Sequence, residues 1–108
     1  MDRALVQNDY GEYIAVEDEV LVQGRMSHVS PYNGFTTPGY ETSRVPVHAI
    51  RRHGIDVNPE TMRYEVSFHV HSEPNGSRKV AELAFETQLE ARSAMDTLYN
   101  ALYFEEVV

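Results

Sequence analysis

The stretch Met62-Arg63-Tyr64-Glu65-Val66-Ser67-Phe68-His69-Val70-His71 decides the fold. Tyr64, Val66, Phe68 and Val70 fall on one side of a strand and Glu65, Ser67, His69 and His71 on the other, a strict period of two. The first set is β-branched and aromatic, and it marks a core face. Glu73-Pro74-Asn75-Gly76 is turn-forming, and the return run Lys79 to Glu86 alternates again, with Ala81, Leu83 and Phe85 on one side. Together these segments predict a β-hairpin with strands over 62–72 and 79–86.

The two patterns also constrain register. A loop limited to Pro-Asn-Gly sets Phe68 opposite Glu82, apolar against charged, which a shared core face forbids. An even loop, Pro74-Asn75-Gly76-Ser77 between paired Glu73 and Arg78, is therefore expected. It places Phe68 against Leu83, Val66 against Phe85 and His69 against Glu82.

Downstream, Thr87-Gln88-Leu89-Glu90 is a capping box in which the Thr87 hydroxyl accepts from the Glu90 N–H. A helix over 88–103 is predicted, with Ala91, Ala94, Met95, Leu98, Ala101 and Leu102 forming the stripe that covers the sheet. Upstream, 12–16 and 20–23 read as short strands joined by the acidic turn Glu17-Asp18-Glu19. Gly24 to Arg44 is rich in Gly, Pro, Ser, Thr and Asn and reads as one loop of about twenty residues, a length that is usually functional or mobile. Its rings, Tyr32, Phe35 and Tyr40, either plug one end of the core or form a binding surface.

Val45 to Arg52 alternates and predicts a strand, placed at a sheet edge by Pro46, which lacks a ladder donor. Ile55 to Glu60 then reads as a connector. Arg44, Arg51, Arg52 and Arg63, with His48 and His53, make the one basic region, expected to pair with the acidic ends or to hold phosphate or an acidic partner. The expected architecture is α+β: a single domain over 1–108 with an antiparallel sheet of four to five strands (12–16, 20–23, 45–52, 62–72, 79–86) and one C-terminal helix on one face. A last strand Ala81-Glu82-Leu83-Ala84-Phe85-Glu86 running into a closing amphipathic helix resembles the end of PH-like domains. That resemblance implies a half-open barrel capped by the helix.

Composition bounds the function. At 108 residues and 42% apolar the chain has the means for one modest core. It has no cysteine, so disulfides and thiolate chemistry are excluded. Its opening lacks an apolar leader and no run suits a membrane span, so a soluble cytoplasmic protein is expected. The net charge is −8, and it is uneven: residues 1–23 and 82–108 each carry six acids against one base, while 24–81 is slightly basic. Such a chain repels nucleic acid and anionic membrane and attracts basic surfaces.

No phosphate-cradling glycine loop, nucleophile elbow or zincin helix is present, and no residue is assigned as catalytic. His69-x-His71 shares one face of a strand and is a candidate metal pair, with Glu82 or His48 as third ligand. No cofactor is expected. The leading expectation is a small acidic, non-enzymatic protein-binding module, an inhibitor or adaptor of the kind mobile elements use to block basic, nucleic-acid-binding surfaces. It would engage its partner through Glu17, Asp18, Glu19, Tyr32, Phe35 and Tyr40, without binding nucleic acid itself. Two alternatives are a ligand- or metal-binding protein using the His69/His71 face, and a homo-oligomer whose strand 45–52 pairs across a two-fold axis.

Overall fold

A computed structural model describes residues 4–72 and 76–103. The class is α+β, with antiparallel sheets and one C-terminal helix. A four-stranded sheet is ordered β1 (Ala4–Gln7), β2 (Glu12–Glu17), β3 (Val20–Arg25), β6 (Tyr40–Pro46). Two short strands, β4 (His28–Val29) and β5 (Thr36–Thr37), form a separate hairpin between β3 and β6. A three-stranded sheet comprises β7 (Ile50–Val57), β8 (Tyr64–Ser72) and β9 (Gly76–Phe85). Helix α1 (Gln88–Tyr103) packs against strands of both sheets.

One core serves all three layers. Ile14, Val16 and Leu21 come from the larger sheet, Val66, Phe68 and Leu83 from the smaller, and Leu98 from the helix, and each is fully buried. The helical stripe Ala91, Ala94, Met95, Leu98, Ala101 and Leu102 is buried as its spacing predicts. Thr87 Oγ1 accepts from the Glu90 N–H at 3.2 Å. The Glu90 carboxylate accepts from the Thr87 hydroxyl at 2.9 Å, a variant of the expected box in which it would reach the backbone.

The outer edge of β9 joins the sheets. Ser43 Oγ donates to the Val80 carbonyl at 2.6 Å and Asn8 Nδ2 to the Ala84 carbonyl at 2.9 Å. Between them the Gln23 amide donates to the Glu82 carbonyl and accepts from the Glu82 N–H, as a neighbouring strand would. Side chains of β6, β3 and the β1–β2 turn thus satisfy alternate backbone groups of a strand they do not pair with.

Four expectations are corrected. Register in the β8–β9 hairpin differs: Phe68 faces Ala81, Val66 faces Leu83, and His69 faces Lys79, while Glu82 faces Ser67. Ser72 pairs with Gly76, so the loop is odd, and a bulge between Phe68 and His69 leaves Val80 as the extra residue that restores apolar-to-apolar facing. Parity demanded an even offset at the core end, and the bulge supplied it where the turn did not. The predicted turn residues Glu73, Pro74 and Asn75, and the tail after Tyr103, lie outside the described residues.

The expected strand 45–52 is two strands in different sheets. Val45 and Pro46 end β6 against Leu21 and Val20, a 3₁₀ turn covers Val47–Ala49, and Ile50 opens β7 against Val70. The chain crosses between layers here, so 45–52 is not one continuous edge strand. Nor is Ile55 to Glu60 wholly a connector, since β7 continues to Val57.

Finally, 24–44 is not one loop, because β3 runs to Arg25 and β6 starts at Tyr40. Gly24 and Gly39 are there for close approach: a Cβ on Gly24 would lie 2.3 Å from the Tyr40 carbonyl oxygen, and one on Gly39 2.6 Å from that of Arg25.

The Gln23 bridge carries a testable cost. Gln23→Leu keeps the volume but orphans both backbone groups of Glu82. It should lower stability by about 1–3 kcal/mol in urea unfolding, and an unchanged midpoint would show that the bridge contributes nothing.

Candidate functional site

The outer face of the four-stranded sheet is partly apolar, and among the described residues no further strand or helix lies over it. Leu5, Ala15 and Val22 align across β1, β2 and β3, while Ala4, Val6, Ile14, Val16 and Leu21 point into the core side. Tyr13 pairs with Gly24, whose missing Cβ leaves room for the Tyr13 hydroxyl 2.8 Å from where that Cβ would sit. Two adjoining hollows share Tyr13 and Glu41. One, of about 390 Å³, is lined by Tyr13, Ala15, Val20 and Val22 with Glu17, Asp18, Glu41 and Arg44. The other, of about 490 Å³, is lined by Leu5, Met26 and Tyr40 with Arg25 and Glu41.

Charge rims this apolar floor. Arg44 clamps Glu41 through two hydrogen bonds, Nη2 to Oε1 at 2.8 Å and Nε to Oε2 at 3.2 Å, and this holds the exposed Glu41 carboxyl below its usual range. At the tip of the β2–β3 hairpin Glu17 pairs with Val20, leaving Asp18 and Glu19 as a two-residue turn. Both have positive φ, 53° and 62°, which is the type I′ geometry that favours Asn-Gly. Asp18 suits the first of these positions, but Glu19 stands where glycine is preferred, a departure that function commonly explains.

The three loop aromatics are exposed: Tyr32 96%, Phe35 74% and Tyr40 55%. They do not plug the core. Tyr32 and Phe35 sit on the β4–β5 hairpin, whose turn is internally tied. The Ser30 N–H donates to the Phe35 carbonyl, the Gly34 N–H to the Ser30 carbonyl, the Phe35 N–H to Asn33 Oδ1 and the Tyr32 N–H to Ser30 Oγ. Rings held outward by a fixed turn forfeit little entropy when a partner covers them. Val29, also exposed, extends the patch.

The histidine face is arranged differently. His69 Nε2 lies 3.3 Å from the hydroxyl of buried Ser67, and Lys79, its cross-strand neighbour, forms an ion pair with Glu82. Arg52 flanks His69 from β7. Burial, then Arg52 and Lys79, push its pKa below the ordinary 6.5, and Asp56 and Glu82 oppose this only in part. Two cations beside the imidazole disfavour a third. Among the described residues no group of three His, Asp or Glu side chains is placed to hold a metal ion. His71 faces Ser77.

Sequence reasoning named the acidic turn and the loop rings but missed Leu5, Tyr13, Val22 and Met26, which complete the surface. Alternation in β1 and β2 held the signal, because Leu5 and Ala15 are apolar on the side opposite the core set. No protein family, curated protein or solved structure matches this chain.

Two outcomes follow from this geometry. Gly24→Ala should cost about 1–3 kcal/mol by overpacking Tyr13 and the β6 backbone, read as a lowered urea midpoint. For His69, a depressed pKa means that the folded state binds fewer protons than the unfolded one. Its contribution is complete above pH 6.5 and is lost as pH falls through 6.5 toward the depressed value. Thermal stability should therefore decline on acidification through that window, and His69→Asn should flatten the decline; an unaltered profile in the variant would refute the assignment.

Proposed function

We propose that this chain is a non-enzymatic protein-binding module, an inhibitor or adaptor that engages a basic, nucleic-acid-binding surface of a partner protein. The observation that carries the reading is the β4–β5 hairpin with Tyr32 and Phe35 turned to solvent, next to an apolar sheet face whose hollows are rimmed by Glu17, Asp18 and Glu41. Aromatic anchors surrounded by charge suit a protein interface, where rings supply contact area and the rim sets partner choice and encounter rate. A net charge of −8 favours a cationic partner over a polyanion. An inhibitor of the kind carried by mobile elements fits this chemistry, since it need only cover a basic site. No helix among the described residues is long and apolar enough to cross a membrane.

The test is comparative affinity capture from the native host, quantified by mass spectrometry, with three baits: the unaltered chain, Tyr32→Ser/Phe35→Ser, and Asp18→Lys/Glu19→Lys. A basic partner should be retained by the first bait and depleted about tenfold or more with the second, the loss expected for two interface anchors. The third should bind more weakly and with less dependence on salt. Equal capture by all three baits would sink the proposal.

A further inference from the structure

Among the described residues the outer edge of β7 has no strand partner, and it runs beside exposed positive charge. Glu82 directs both its N–H and its C=O to Gln23, away from β8, so the opposing Ser67 directs its own toward β7 and bonds there with Gly54. By alternation the backbone groups of His53, Ile55 and Val57 point out of the sheet. The hydrogen bond from the Asn58 N–H to the Arg63 carbonyl fixes the same phase from the other end of the strand. Among the described residues no strand pairs with that edge. The corresponding edge of β9 is closed by Asn8, Gln23 and Ser43.

The chemistry along this edge selects an occupant. Arg51 and Arg52 are both exposed, and among the described residues no carboxylate forms an ion pair with either, in a protein that carries 17 acids. Arg51 Nη1 donates to the His48 carbonyl. On the helix side the His53 ring lies 5.4 Å from both Tyr99 and Tyr103, two half-exposed rings that offer an apolar wall. Asp56 sits at the far end, opposite Glu65, so anionic side chains fit only near the start of β7.

We propose that the β7 edge takes up an extended segment of a partner protein that alternates apolar and acidic residues, adding it as a fourth strand to the smaller sheet. Main-chain hydrogen bonds to His53, Ile55 and Val57 supply affinity. Apolar side chains of the segment meet Tyr99 and Tyr103, and its acids meet Arg51 and Arg52. This surface is separate from the aromatic hairpin, so a protein using both would bridge two partners of opposite charge.

The test titrates the isotopically labelled full chain with a nine-residue capped peptide that places Glu between Val and Thr, followed by amide chemical shifts. Shifts concentrated at Arg52 to Val57 are expected. Val57→Pro removes one outward donor without touching the β8 ladder, and it should weaken binding about fivefold, the worth of one hydrogen bond. Arg51→Glu/Arg52→Glu should weaken it about tenfold or more. A peptide with Lys in place of Glu should leave the shifts unmoved. Equal response to both peptides, shifts confined to other strands, or sedimentation showing a second copy of this chain already paired through β7 would each overturn the proposal.

Discussion

The side-chain amide of Gln23, bonded to both backbone groups of Glu82, is the constraint on which the rest of the structure depends. Seven longer strands in two sheets need a way to end, because an unpaired edge leaves donors and acceptors unsatisfied in the region where the sheets meet. An amide has the same donor and acceptor as a peptide group, so one glutamine does locally what a strand would do. With Ser43 and Asn8 on either side, β9 is anchored to the larger sheet over Val80, Glu82 and Ala84. The inner faces can then share one core, and α1 packs against both sheets.

That closure determines what remains outside. Among the described residues the larger sheet's second face has no layer over it, yet it carries Leu5, Tyr13, Ala15 and Val22. Local preferences are broken at both ends of that sheet, with Glu19 at positive φ just before β3 begins and two exposed rings on the tied turn that follows its end. Consistency between levels is what makes sequences fold, and departures from it gather where something else is under selection. The departures here share one chemistry, apolar contact within an acidic rim.

Much of the fold was legible because its signals are local. The capping box at Thr87 and the stripe from Ala91 to Leu102 gave the helix its bounds, and alternation gave β8 its two faces. Register was only half legible. Facing patterns fix an offset modulo two, and a bulge at Phe68/His69 allows an odd turn to meet an even requirement. The segment 24–44 misled because glycine signals both a turn and a close contact, and at Gly24 it is the contact with Tyr13 and Tyr40 that counts. The split of 45–52 was invisible, since Val45, Val47 and Ala49 alternate alike whether the chain stays in one sheet or changes layer. As for the site, Tyr32 and Phe35 could be named but their exposure could not, because burial depends on what lies across the fold.

The most direct measurement is residue-resolved amide hydrogen exchange on the free protein. If side chains close β9 and nothing closes β7, the Glu82 amide, at the outer edge of its sheet, should exchange as slowly as amides inside the β8 ladder. The outward amides of Ile55 and Val57 should exchange far faster. Rapid exchange at Glu82, or protection at Ile55 and Val57 equal to that of the ladder, would contradict the account.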